Sequence, residues 1–168
     1  MNNLIPQLPH RDTNSHKGTF GTTLIIGGCK GMSGAMVLCG TAALKSGAGL
    51  VQVGTPTSIR FEVAIGNPCY TTIALPEDEE GRFNHQSIQT IFPLISKASA
   101  VVLGPGAGAT KACQEMASHL LNLQIPVLLD ADALNSLASE SFPTAFKNKQ
   151  VVITPHPGEF SRLTRLTA

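Results

Sequence analysis

Short apolar runs alternate with amphipathic stretches along the 168 residues of the chain. Thr22–Ile26, Ala100–Leu103 and Val127–Leu129 are β-branched or Leu-rich runs that stop abruptly at Gly27-Gly28, Gly104-Pro105 and Asp130. A fourth run, residues 150–153, stops at Thr154-Pro155, and residues 50–53 and Thr71–Leu75 read as two further strands. Near-continuous apolar runs suit strands buried on both faces, as in a parallel sheet. Between them, Met36, Cys39, Ala43 and Leu44 recur at helical spacing, with Ser33 as the expected N-cap and Gly47 as the stop. Residues 59–65, 86–95, 111–123 and 133–139 supply the other helical windows. Alternation at this rate predicts right-handed βαβ units. The expected fold class is α/β, a mostly parallel sheet with flanking helices in a single domain over residues 1–168. The polar first fifteen residues and residues 76–84, with the run Glu77-Asp78-Glu79-Glu80, read as solvated surface connections.

Composition narrows the function classes. Hydrophobic residues are 42% of the chain and charged residues 14%, so a packed core is available and a disordered or fibrous chain is excluded. The formal charge is +1 and Trp is absent, which gives no basic face and no stacking platform for nucleic acid. No apolar run approaches the ~20 residues that cross a bilayer, and the start lacks the pattern of a secretory signal. Cys29, Cys39, Cys69 and Cys113 form no C-x-x-C pair and no metal-ligand spacing. A cytoplasmic protein with free thiols, acting on neither nucleic acid nor membrane, is the expectation.

Ligands in open α/β sheets bind outside the carboxyl ends of the strands, so the turns that follow the strands carry the candidate chemistry. Gly27-Gly28-Cys29-Lys30-Gly31-Met32-Ser33-Gly34-Ala35 permits close backbone approach and leads into a helix start that can face an anion. It matches neither G-x-G-x-x-G nor G-x-x-x-x-G-K-[ST]. A ligand turn and a tight structural turn are both open readings, because glycine serves both. Gly104-Pro105-Gly106-Ala107-Gly108 repeats the same logic. In Asp130-Ala131-Asp132, Asp132 suits helix capping. Asp130, nearer the sheet, can orient a sugar hydroxyl or hold a metal through water. His156, between Pro155 and Pro157, sits in an extended loop where imidazole can contact a substrate, whereas Glu159 suits the helix dipole. His10, His16, His85 and His119 read as structural or solvated. No G-x-S-x-G elbow occurs.

Taken together these turns resemble the NAD(P)H-hydrate dehydratases. The motifs are His16-Lys17-Gly18-x-Phe20-Gly21, Gly27-Gly28 with Gly31-Met32-Ser33-Gly34-Ala35, and Ala42-Ala43-Leu44-Lys45-Ser46-Gly47-Ala48-Gly49. Gly104-Pro105-Gly106-x-Gly108, Asp130-Ala131-Asp132-Ala133-Leu134-Asn135 and Thr154-Pro155-His156-Pro157-Gly158-Glu159-Phe160 follow in family order. The resemblance implies a ribokinase-like fold and a lyase of metabolite repair, returning the S-epimer of hydrated NADH or NADPH to the intact cofactor. It also implies ADP or ATP with Mg²⁺ as the driving nucleotide. The hydrated cofactor would meet Gly34 and Ala35, Gly106 and Gly108, and His156, with Asp130 nearby; no metal ligand is assigned within the chain.

The chain departs from the family pattern in lacking Gly-Thr-Gly-Asp, the motif whose aspartate serves as base in the second half of the family fold. The resemblance therefore covers the N-terminal portion only, and the expectation is a homo-oligomer or association with a chain that supplies the missing half. Two other readings stand beside it: a ribokinase-like kinase of a small vitamin precursor, and a non-catalytic remnant that binds ligand or assembles with a relative.

Overall fold

The computed structural model describes residues 10–138 and 150–166. Within them the chain order is β1 (Thr22–Ile26), α1 (Ser33–Lys45), β2 (Leu50–Pro56), α2 (Arg60–Gly66), β3 (Thr71–Leu75) and α3 (His85–Ile95). It continues with β4 (Ala100–Leu103), α4 (Lys111–Leu120), β5 (Val127–Leu129), α5 (Asp132–Ala138), β6 (Val151–Ile153) and α6 (Pro157–Thr164). Every strand pairs parallel to its neighbours, in the order β3-β2-β1-β4-β5-β6. The expected α/β sheet is present, and it is purely parallel. No helix among the described residues is long and apolar enough to cross a membrane.

Several boundaries differ from the sequence reading for local reasons. Met32, not Ser33, is the N-cap of α1, and no side chain caps it. A tight turn in which the Met32 N–H donates to Cys29 O (2.8 Å) puts Ser33 inside the helix. Helix α4 stops at Leu120 rather than 123, since Asn122 Nδ2 donates to Ser118 O at 2.8 Å. That side chain takes the carbonyl the next helical turn would have used. Strand β2 runs three residues past 53, to Pro56. The last residue of the expected helix 133–139 and the first nine of the chain lie outside the described residues. Residues 76–84 form an ordered strap. Cys29 bridges to Arg82, and the Lys30 N–H donates to Gly81 O, fastening the strap over the glycine turn.

Alternation along each strand divides the core in two. Leu24, Ile26, Leu103 and Leu129 face α3, α4 and α5, while Ile25, Val51 and Val53 face α1 and α2. Gly40 lets α1 lie against the sheet, because a Cβ there would be 2.7 Å from the ring of Tyr70. The Tyr70 hydroxyl donates in turn to Val63 O at 2.6 Å, tying α2 into the same cluster.

Helices α1 and α2 lie over β1, β2 and β3, and α1 reaches β4 at Val102. Along the registered row Ile25, Val102, Leu128 and Val152, burial falls from complete at Ile25 to half-buried at Val102 and Leu128. Val152 is 57% exposed. Among the described residues, cover on this apolar face thins from β4 to β6.

Candidate functional site

The chain leaves β1 toward β2 on one side, while β4 pairs on the other, so the sheet's switch point lies between β1 and β4. Both glycine turns sit at the carboxyl ends of these two strands, where an α/β sheet opens a crevice. The turns are stitched together: the Gly28 N–H donates to Pro105 O at 2.9 Å, and Gly104 N–H to Ile26 O at 3.1 Å.

The glycines of the first turn do two different jobs. A Cβ on Gly27 would lie 2.6 Å from Pro105 O. One on Gly28, at φ 72°, would press on Met36, Thr55 and Ile59. These two are demanded by packing. Gly31 and Gly34 have nothing within 4 Å of an added Cβ, so the turn is open at these two positions. The second turn closes against the same place. A Cβ on Gly106, at φ 63°, would meet Met32 Cβ at 2.8 Å and Ala35 Cβ at 3.4 Å. Gly34, Ala35 and Gly106 thus come together in space.

Gly108 has a different role from the one its motif suggests. Its N–H donates to Asp132 Oδ2 at 2.9 Å, so that amide is occupied and a carboxylate sits where an anion would be received. Asp132 is the first residue of α5, and this bond takes its side chain away from the capping role expected of it. Asp130 Oδ1 accepts from Thr154 Oγ1 at 2.7 Å, linking β5 to the turn after β6. Asp130 also lines an apolar cavity of about 250 Å³ with Cys39, Ala42, Val102, Pro105 and Leu128.

His156 is the N-cap of α6. Its Nδ1 accepts from the Gly158 and Glu159 N–H groups (3.0 and 3.4 Å), and Glu159 Oε2 accepts from the His156 N–H at 2.9 Å. Because Nδ1 is an acceptor, the neutral ring carries its proton on Nε2, which lies 3.2 Å from Glu159 Oε1. The ring is 59% exposed while Glu159 is buried. Glu159 therefore does more than favour a helix dipole: it closes a reciprocal capping box. The side-chain hydrogen bonds of His156 stay within residues 156–159, and its link to the rest of the site runs through Thr154 and Asp130.

Arg82 escaped the sequence reading. Its side chain lies over Gly108, with Cδ 2.6 Å from an added Cβ, and its guanidinium pairs with Asp78 (2.8 Å) and Glu80 (2.9 Å). A lone cation two residues after four acids was the available signal. Burial raises the Cys29 thiol, the Asp132 charge raises it further, and Arg82 only partly opposes them. Burial raises Cys39 as well and pushes Cys113 up to about 12. None of these three is an activated nucleophile.

Comparison with known proteins places the chain in a family and a fold. A sequence profile described as Carb_kinase, NAD(P)H-hydrate dehydratase, matches residues 23–168. A bifunctional NAD(P)H-hydrate repair enzyme of Moorella thermoacetica is 36% identical over 96% of this chain and 31% of its own length. The crystal structure of the ADP/ATP-dependent NAD(P)H-hydrate dehydratase of Bacillus subtilis, co-crystallized with ATP/Mg²⁺, superposes with a TM-score of 0.72 at 32% identity. The match covers 95% of this chain and 53% of that one. A ribokinase-like superfamily protein of Enterococcus faecalis, at 24% identity and a TM-score of 0.77, shares the fold over 94% of this chain and 52% of its own. The chain thus spans about half the length of these solved structures and under a third of the bifunctional relative. Its fold is ribokinase-like, and the chain belongs to the NAD(P)H-hydrate dehydratase family.

Proposed function

We propose that this chain holds the hydrated cofactor for nucleotide-dependent dehydration of the S-epimer of hydrated NADH or NADPH, acting as one partial domain whose other half is supplied separately or by further chain. The open backbone at Gly31 and Gly34 beside the Ala35–Gly106 contact carries this reading, in a chain of this family. Gly34 and the start of α1 suit the phosphates, since backbone amides and the helix dipole favour negative charge there. The Gly106–Gly108 loop, with the Asp132 carboxylate behind it, suits a neutral hydrogen-bonding part of the cofactor. The exposed face of the His156 ring is left to meet substrate, since Nδ1 is spent on the cap and Nε2 lies against Glu159 Oε1. The Bacillus relative is ADP/ATP-dependent by name, and such a nucleotide with Mg²⁺ would supply phosphoryl chemistry. Among the described residues no group of three or more His, Cys, Asp or Glu gathers to hold a metal ion. Asp130 and Asp132 each spend one carboxylate oxygen on Thr154 and Gly108.

The test is calorimetric titration of the chain with the S-epimer of hydrated NADPH, followed by an assay for recovered NADPH with ADP or ATP and Mg²⁺. Binding without turnover is expected. Absence of binding overturns the reading, and turnover by the chain alone overturns its incompleteness. Phosphorylation of a hydroxymethyl-pyrimidine or thiazole alcohol in the same assay would favour the kinase reading instead.

A further inference from the structure

We propose that Asp130-Ala131-Asp132 is a clasp that sets the shape of the glycine loop 104–108, with Asp132 as its positioning residue. The turn stands at the end of β5, the strand between β4 and β6. One carboxylate reaches each way: Asp132 Oδ2 accepts from the Gly108 N–H after β4, and Asp130 Oδ1 accepts from the Thr154 hydroxyl after β6. Backbone bonds run alongside, from Asp130 N–H to Leu103 O (3.1 Å) and from Thr154 N–H to Leu129 O (3.3 Å).

Ala131 makes the two-way reach possible. Its φ of 48° is left-handed, a conformation that among the described residues Arg165 alone shares outside glycine. Such strain persists only where the surroundings impose it. Here it reverses the chain between two acids so that their side chains diverge. Helix α5 would start as well from an ordinary cap, so the strained turn is explained by the two loops it ties. Asn135 extends the arrangement: its Nδ2 lies 3.4 Å from Asp132 Oδ1, and its Oδ1 accepts from Arg162 Nε on α6 at 2.9 Å. A carboxylate acceptor on Gly108 holds the loop more firmly than a neutral one. Small displacements of a binding loop cost affinity steeply.

The proposal rests on the reading that loop 104–108 meets the hydrated cofactor, and its test separates the two. Amide exchange followed by NMR on the free chain is the first arm. Asp132→Ala is expected to speed Gly108 exchange about 10-fold or more, with the Leu50 amide in β2 unchanged. Unchanged Gly108 exchange overturns the clasp. The second arm titrates the S-epimer of hydrated NADPH. Asp132→Ala is expected to bind about 10-fold more weakly, while Asp132→Asn, which still offers an acceptor to Gly108, stays within about 3-fold of the parent. If Asp132→Ala fails to fold, Asp132→Glu, which keeps the charge but shifts it by a methylene, is expected to show the same loss. Freed Gly108 exchange with unchanged affinity overturns the positioning role. A parent chain that binds no hydrated NADPH overturns the functional reading, and the ligand role of Asp132 with it, while the exchange arm still decides the clasp.

Discussion

His156 and Glu159 cap one another: the imidazole Nδ1 accepts from the Glu159 N–H, and the Glu159 carboxylate accepts from the His156 N–H. A side chain proposed to touch substrate therefore also starts a helix. His156→Ala should lower stability by about 1 kcal/mol through the lost cap as well as weaken binding of hydrated cofactor. His156→Asn separates the two effects, because Asn caps about as well but lacks the imidazole edge. Its melting temperature should stay within a degree or two of the parent while affinity falls. Equal affinity in the Asn variant would leave His156 with the cap alone.

Gly34 and Gly106 make opposite predictions although they lie in one site. An added Cβ at Gly34 meets nothing within 4 Å, and Gly34 sits inside α1. Gly34→Ala should raise stability by up to about 1 kcal/mol from helix propensity, and Gly34→Val should remain folded yet lose cofactor binding. Gly106→Ala places a Cβ 2.8 Å from Met32 Cβ at φ 63°, so it should unfold at lower temperature. Thermal melts paired with titrations check both. A Gly34→Val chain that still binds would make the first turn wholly structural.

How much of this was legible in the sequence follows from which interactions are local. The apolar runs marked all six strands, most plainly β1, where Leu24, Ile25 and Ile26 are fully buried, and also β6, whose Val152 and Ile153 stay apolar although exposed. The glycine motifs marked the turns, but only coordinates separate Gly27 and Gly28, which pack against Pro105 and Met36, from the open Gly31 and Gly34. Asp132 read as a cap because capping is the local use of an acid at a helix start. Its actual partner, Gly108, is 24 residues away, and Asp130 meets Thr154 at the same separation. His156 read as a ligand residue between two prolines, since its cap depends on a side-chain rotamer that spacing does not reveal. Arg82 showed only as a lone cation after four acids, because its role comes from the strap folding back over the glycine turn.

Thr55 offers a stability test with a definite sign. Its Oγ1 is buried and finds no hydrogen-bond partner among the described residues, against Gly28 in the first turn. Valine is nearly isosteric and removes the unsatisfied hydroxyl. Thr55→Val should raise stability by about 1 kcal/mol, read from denaturant unfolding. A loss of similar size would mean that the hydroxyl has a partner in solution.

The strap should respond to acid. Partial burial alone would raise the Asp78 carboxyl, but hydrogen bonds from the Arg82 N–H and guanidinium, the Arg82 charge and the Glu80 N–H together hold it below its ordinary value. A depressed carboxylate contributes stability that is present above its unfolded pKa, about 3.9, and is lost as pH falls through the lower folded value. Amide exchange in residues 78–82 should therefore be steady from neutral pH down to about 4, once intrinsic rates are corrected, and rise below that. Asp78→Asn should show the faster exchange at neutral pH and lose the acid step. An acid step that survives in Asp78→Asn would assign it to another carboxylate.

The thinly covered sheet face makes the last prediction. Val102, Leu128 and Val152 lie in one registered row on the side where cover from α1 and α2 thins, and Val152 belongs to the edge strand β6. An apolar face continuous with an unpaired strand edge favours pairing with another chain. Placing a charge there opposes such pairing, and because Val152 is more than half exposed, a lysine can reach water without emptying the core. If the chain self-associates through this face, Val152→Lys should reduce that association in sedimentation velocity while leaving the far-ultraviolet circular dichroism unchanged. Ala42→Lys, on the flank of α1 that lines an apolar cavity with Val102 and Leu128, should act in the same direction if the whole face is buried in the associated state. Association that persists in both variants would place the contact elsewhere, with the exposed Phe61 and Ile65 of α2 as the next surface to charge.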